Sequence, residues 1–434
     1  MRPAVRRWGR ALALAAVAGG LLSGCWWLSR VWRHRAALME IREHVLAGRH
    51  ATAARSLAEL LAWEPSSDEA IYLFGVCENA RGRPAAAEAA WARIRPGSAF
   101  AAPAMQARAT LLVDQGRLAD AEKLIDQALK DTRVDGFDLR QFLAPLYRVE
   151  GRIEDALRLI EANWVLLNRS GRGGSRQAIE LLGLHVAQST ETASAESVRA
   201  FLERIGGQAS DDDRIWLGKA NLAIRQGSFD QAARWLDDCL RRRPEDLPVW
   251  RARLEWAMAT GRSAEAREAL EHLPADRETP AQVHRLTAWF AARRGDAESE
   301  RQALERLIAA DPGDGAALDR LAELALRDGL APRAAELRRK KIALDSLRSR
   351  YKELFRCIQP VRNAMEMSRI AEQLGRFFES RAFATLAVAT DPDRVDLRGI
   401  LARIEQRQIT IDEPGRTLAQ RLTRELDAAV PPQP

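Results

Sequence analysis

The sequence predicts an all-α solenoid of stacked helix pairs, and three observations carry that prediction. A glycine recurs at a fixed interval: Gly48, Gly82 and Gly116 stand 34 residues apart, Gly151 follows one residue late, Gly227, Gly261, Gly295 and Gly329 resume the interval, and Gly375 closes the series. Two columns of small residues keep register with it. The composition is helical, rich in alanine, leucine, arginine and glutamate, with only three tyrosines. A period of this size means supersecondary units in a row, each touching its neighbours, and a chain of 434 residues then needs no division into closed domains.

The N-terminal segment comes first. The chain carries a formal charge of +7, but residues 1–35 hold seven arginines (Arg2, Arg6, Arg7, Arg10, Arg30, Arg33, Arg35) and no acid, so residues 36–434 are formally neutral. Phosphate binding needs cations clustered on the binding body. The clusters Arg241–Arg243 and Arg338–Lys341 read as solvated helix ends or faces, and no nucleic-acid partner is expected. Ala11–Leu28 runs 18 residues without a charge, about 27 Å as a helix against a hydrocarbon layer of about 30 Å. Trp26, Trp27 and Trp32, mixed with Arg30, Arg33 and Arg35, are interface-anchoring types. Residues 11–28 therefore read as a single-pass transmembrane helix of a bacterial inner membrane, with the N-terminus cytoplasmic and the repeats in the periplasm. One alternative is a lipoprotein acting in envelope assembly or secretion: Leu22-Ser23-Gly24-Cys25 matches the bacterial lipobox, with cleavage before Cys25 and its acylation. Another is a cleaved secretory peptide. A flexible polar tether usually follows a lipidated cysteine, whereas Trp26-Trp27-Leu28 follow here.

Within the repeats each column has a physical reason. Five residues after the marker glycine stand Ala53, Ala87, Ala121, Ala156, Ala232, Ala266 and Ala334, with Glu300 and Ser380 as exceptions. Seven residues before it stand Gly75, Ala109, Ala144, Ala220, Ala288, Ala322 and Ser368, broken by Ile41 and Leu254. The glycine supplies the turn where one helix stops. One small column lies on each helix of the pair and lets the two approach closely. Pro65, Pro244, Pro312 and Pro392, seventeen residues after the glycine, end the second helix.

These residues resemble the tetratricopeptide repeat family. "WLGKANLAIRQGSFDQAARWLDDCLRRRP", Trp216 to Pro244, has the tryptophan, the small residue, Gly227, Phe229, Ala232 and Pro244 in family order. The resemblance covers roughly residues 34 to 408. It implies a right-handed superhelix of helix pairs whose concave groove, built from the first helix of each pair, holds a protein partner. The texture of "RIWLGKANLAIRQG" and "EHLPADR" is also similar to bacterial anchored repeat proteins associated with FG-GAP propeller proteins of the ASPIC/UnbV type.

Two intervals depart from the period. Between Gly151 and Gly227, Ser175–Gln188 and Glu196–Ile205 read as a degenerate pair whose turn lacks the glycine, after the glycine-rich loop 169–175. That loop has no G-K-[ST] and no strand before it, so it is no phosphate cradle. Between Gly329 and Gly375, Pro332–Ile358 reads as one long helix, with Leu344, Leu347, Tyr351, Leu354 and Ile358 as a heptad seam that packs inside the solenoid or, alternatively, in a dimer. The organisation is then a basic N-terminus and anchor over 1–33, four repeats over 34–168, loop and degenerate repeat over 169–212, four repeats over 213–345, a helix extension over 346–360, a last repeat and closing helix over 361–408, and a loose tail over 409–434.

No catalytic constellation is present in the sequence. His34, His44, His50, His185, His272 and His284 are scattered, with no H-E-x-x-H and no G-x-S-x-G. Cys77 and Cys239 read as packing residues, and no cysteine pair has ligand spacing. No enzyme activity, cofactor, metal or small-molecule substrate is expected. The expected partner-binding face consists of Asn221, Arg225, Arg251, Glu255, Arg285, Trp289 and Arg293, with Tyr72 and Asn79 in the first block. Arginine and tryptophan are the types that anchor protein interfaces. Asn221 resembles one member of the family's carboxylate clamp, but Leu217 occupies the lysine position, so that clamp is not expected.

Overall fold

The computed structural model describes residues 29–134, 136–171, 176–190, 194–207, 211–356, 360–390, 417–420 and 422. The transmembrane reading of 11–28, Cys25, Ile358 and the closing helix near 395–407 lie outside the described residues. Among the described residues no helix is long and apolar enough to cross a membrane. The described residues build α-helices paired about short turns, an all-α repeat solenoid, and contacts divide the chain into two units, residues up to 114 with 120–139, and 115–119 with 140 onward.

The first unit pairs α1 (helical over 29–46) with α2 (His50–Trp63), α3 (Asp68–Ala80) with α4 (Pro84–Trp91), and α5 (Ala101–Asp114) with α6 (Leu118–Leu129). Ser67 starts α3 by accepting from the Ala70 amide, and Pro84 sits in the first turn of α4, where its missing N–H costs nothing. Leu38, Ile41, Leu57 and Leu60 form the core of the first pair. The Trp91 ring lies where a Cβ on Gly75 would stand, and its Nε1 donates to the Tyr72 carbonyl oxygen at 3.1 Å. The small column thus makes room for an indole as well as for backbone.

Helix α7 (Gly136–Val149) crosses the division after Leu139, and the second unit continues with α8 (Ile153–Arg169), α9 (Arg176–Thr190), α10 (Ala195–Gly206), α11 (Asp213–Arg225), α12 (Phe229–Arg242), α13 (Leu247–Thr260), α14 (Ser263–His272), α15 (Pro280–Arg294), α16 (Ala297–Ala310), α17 (Gly315–Arg327), α18 (Ala331–Arg356), α19 (Pro360–Gln373) and α20 (Phe377–Thr390). Helices α9 and α10 occupy the span read as a degenerate pair, with α9 packed on α8 and α10 on α11, and the long helix without a stop signal is α18, of 26 residues. Its seam packs inward: Tyr351 and Leu354 are buried and Leu344 and Leu347 half-buried.

All nine marker glycines have φ between 71° and 85°, the left-handed region that a Cβ disfavours. Ala53, Ala87, Ala121, Ala156, Ala232 and Ala266 have no exposed surface, and Ala334 is 1% exposed. Where the column departs from alanine, burial persists: Ser380 is fully buried, and Glu300, 4% exposed, is paired with Arg320.

Five residues of the span read as a loose tail, 417–420 and 422, are described, and they pack on the second unit. Thr417 bridges Pro274, the Leu418 amide donates to the Leu273 carbonyl oxygen at 2.7 Å, and Leu418 and Leu422 lie in the core beside α13 and α14. Two leucines four apart place both side chains on one helical face, and burying each contributes about 1.5–3 kcal/mol, enough to dock a short segment.

Candidate functional site

The expected partner-binding residues of the second unit sit on α11, α13 and α15, where the local sequence fixes each helix. Asp212 caps α11, accepting from the amides of Arg214 and Ile215 at 2.9 and 3.1 Å. Thr279 and Gln282 form a reciprocal capping box on α15, with Pro280 in the first turn and Gly295, at φ 73°, ending it.

The structure brings Asn221, Arg251 and Glu255 together around five residues of the same unit, Glu150 to Glu154, where α7 gives way to α8. Asn221 is buried, and its Nδ2 donates to the Glu150 carbonyl oxygen at 2.7 Å. Gly151 is the only residue type that fits there, since a Cβ on it would stand 2.5 Å from the Asn221 Cβ. Gly218 on α11 is similarly tight, 3.1 Å from the Val149 carbonyl oxygen by the same measure. Arg251 pairs with the buried Glu278 and reaches Glu154 at 3.4 Å. Gln282 donates from Nε2 to Glu154. Asn221, Arg251 and Gln282 stand six, ten and thirteen residues before their own marker glycines. They therefore step back about one helical turn from each helix to the next, a diagonal line across three repeats. Leu217, at the clamp's lysine position, is fully buried in the core.

Charge in this region is crowded. Glu154, Glu255 and Glu278 surround Arg251. Enclosure by the surrounding protein and then repulsion from Glu154 raise the Glu255 carboxyl to about 7, with Arg251 opposing. The Glu255 side chain remains open to solvent, so the neighbouring acids are the firmer cause. Arg251 is held above the ordinary guanidinium value because Glu278 and Glu154 outweigh its enclosure, which favours the neutral form.

The remaining residues lie apart from that segment. Arg285 is exposed and pairs with Asp314 at 2.9 Å. Trp289 is half-buried, edge-on to Phe290 at 4.9 Å. The Arg293 guanidinium lies 5.4 Å from the Trp289 ring centre and covers Gly261, 2.7 Å from where a Cβ would stand. Arg225 is exposed at the end of α11. In the first unit Tyr72 packs on Phe100, with ring centres 5.6 Å apart, and Asn79 is exposed. Sequence reasoning missed Glu154, Glu278 and Gln282. A capping box marks Gln282 as a local residue, and nothing in the spacing of Glu154 signals a partner 128 residues away.

A separate cleft of about 250 Å³ opens between α10, α11 and α12, lined by Leu202, Lys219, Leu222 and Trp235 among others. Among the described residues no group of three or more histidines, cysteines or acids could hold a metal ion.

The fold defined by these pairs is a helical repeat solenoid. Models of the tetratricopeptide repeat match residues 38–99, 107–162 and 223–290. No curated protein matches the chain. Among solved structures, the Cut9–Hcn1 hetero-tetramer of the APC/C is 13% identical, with 92% of this chain and 87% of that chain covered and a TM-score of 0.32. A tetratricopeptide repeat protein from Parabacteroides merdae is 14% identical, covering 68% of this chain and 98% of that one, at a TM-score of 0.27. Yeast Tom70 is 11% identical, covering 90% and 96%, at a TM-score of 0.26.

Proposed function

We propose that this protein is a membrane-anchored repeat scaffold that binds a protein partner on the extracytoplasmic side of a bacterial inner membrane. Residues 11–28 are the anchor in this reading, with the N-terminus in the cytoplasm and the repeats in the periplasm. The observation that carries the binding role is the α15 surface, where exposed Arg285, half-buried Trp289 and exposed Arg293 follow one another at four-residue steps along one helix face. Tryptophan supplies apolar contact area, and guanidinium groups pair with carboxylates or carbonyl oxygens of the partner. Arg225, exposed at the end of α11, is assigned to the same partner-binding face. Asn221 and Arg251 act from beneath by holding the segment 150–154, and Glu255 adds an acid beside Glu154 and Arg251. Trp32, 73% exposed on α1, supports the anchor reading as an interfacial residue.

Affinity capture by the full chain from a native membrane extract tests the proposal. A Trp289→Ala, Arg285→Ala double change is expected to abolish capture of the main partner with helix content intact. Capture that survives this change and is lost on altering Tyr72 and Asn79 places the binding face in the first unit instead. The texture shared with anchored repeat proteins associated with FG-GAP propellers makes such a propeller the first partner to look for. The anchor is tested by mass spectrometry: the mature protein should keep its N-terminal peptide, and Cys25→Ser should leave membrane attachment unchanged. A diacylglyceryl-modified Cys25 at a new N-terminus establishes the lipoprotein reading in its place.

A further inference from the structure

Helices α9 and α20 meet although their sequences lie almost two hundred residues apart, and their joint is built on a buried polar cluster rather than on apolar contact alone. His185 of α9 is 4% exposed. Its Nδ1 lies 3.2 Å from Glu379 Oε1 of α20, and its Nε2 lies 3.4 Å from Glu161 Oε1 of α8. Glu379 is 1% exposed and serves as the hub. It accepts from the Tyr351 hydroxyl of α18 at 2.6 Å and from the Ser189 hydroxyl of α9, and Arg376 of α20 approaches it at 3.4 Å. The His185 ring also packs on Phe378 of α20, with ring centres 4.3 Å apart.

The chemistry of an imidazole makes this arrangement dependent on protonation. A neutral ring has one N–H donor and one lone pair, whereas the cation has two donors. Here both ring nitrogens face a carboxylate oxygen, from two different helices. Only the cation satisfies both. In the neutral ring one nitrogen lone pair opposes a carboxylate, and if that carboxylate is Glu379 the charge lies in a site closed to water, where repulsion is strong. Tyr351 and Ser189 remain as donors to Glu379, and Arg376 as its counter-charge, so the hub stays satisfied, while in either neutral tautomer the joint between α9 and α20 loses the attraction between the imidazolium and the Glu379 carboxylate.

We propose that His185 is a proton-operated latch that docks the C-terminal helix pair α19–α20 onto α9. Burial opposes the cation, but hydrogen bonding to Glu161 and Glu379 outweighs it and raises the histidine above its ordinary value of 6.5. A raised folded value means that the contribution is full below that ordinary value and is lost as pH rises through the folded one. The latch is closed below the ordinary histidine value and releases as pH rises through the raised folded one.

Hydrogen exchange of the full chain, corrected for the pH dependence of intrinsic exchange, tests the latch. Protection over 176–190 and 377–390 is expected to fall several-fold between pH 5.5 and 8.5, with unit-one helices unaffected. His185→Gln should flatten that response. NMR of the histidine-labelled full chain gives a second readout that does not depend on the fold of His185→Gln: the His185 titration midpoint should move to lower pH in Glu161→Gln, a change at a half-exposed side chain. An equal pH response in wild type and His185→Gln overturns the latch. A midpoint at or below that of free histidine, or one that Glu161→Gln leaves in place, overturns it as well.

Discussion

The side-chain amide of Asn221 donates to the main-chain carbonyl oxygen of Glu150, 71 residues earlier, at 2.7 Å, and both groups are buried. An asparagine at a repeat position suited to grip a ligand's backbone grips the backbone of its own chain. Asn221 of α11, Arg251 of α13 and Gln282 of α15 all meet the chain's own segment 150–154. Asn221→Ala strands a buried carbonyl acceptor and is expected to destabilise the second unit by about 1–3 kcal/mol. Urea unfolding followed by circular dichroism measures this, and an unchanged midpoint would show that water replaces the amide without loss.

Two turn glycines separate backbone strain from packing. Gly227 has φ 74° with open space around its Cβ position, and Gly151 has φ 85° with Asn221 in the way. Gly227→Ala is expected to cost about 1–2 kcal/mol, the left-handed penalty alone. Gly151→Ala adds overpacking of about 1–3 kcal/mol. Equal urea midpoints for the two variants would mean that the Asn221 contact is readily rearranged.

The alanine column should tolerate no growth. Ala232 is fully buried between α11 and α12. Ala232→Leu is expected to force the pair apart and to destabilise by about 1–3 kcal/mol. Nearest-neighbour coupling in repeat arrays predicts that α13 and α14 loosen with it. Hydrogen exchange read helix by helix checks this, and wild-type protection throughout α11–α14 would refute the close-approach role of the column.

Glu255 gives a pH signature opposite to that of a paired surface acid. Its carboxyl is raised from 4.5 to about 7, so the favourable protonated contribution is present below the lower value and is lost as pH rises through the higher. Glu255→Gln removes the crowding of acids around Arg251. The variant should gain thermal stability over wild type at pH 8 and little or none at pH 5. A gain independent of pH would assign the effect to packing instead.

The helices and their ends were legible because they depend on local terms. A glycine every 34 residues announces left-handed turns, and all nine adopt them. Alanine columns at helical spacing announce close approach, and they are buried. The long α18 followed from the lack of any stop signal, and helices α9 and α10 from two apolar periods without a glycine between them. The surface line Arg285, Trp289, Arg293 was also readable, since four-residue spacing on one helix fixes a shared face whatever surrounds it.

Which side of that face meets solvent and which meets the chain itself was decided only by tertiary structure. The periodicity that identifies α11 and α13 says nothing of the segment 150–154, because α9 and α10 intervene and alter which repeats become neighbours. Asn221 and Arg251 therefore read as groove residues and fold as supports, while Glu154 and Gln282 carried no signal at all. The same holds for Glu379, ordinary in a helix sequence yet buried as the hub for His185, Ser189 and Tyr351, and for Leu418 and Leu422, two leucines in a polar tail that found a core beside Leu273. By itself the sequence determined the repeat unit, since helix propensity, turn chirality and side-chain volume act over a few residues. Contacts between units far apart in the chain depend on the accumulated rotation from pair to pair, and a single irregular repeat changes that sum in a way no residue spacing records.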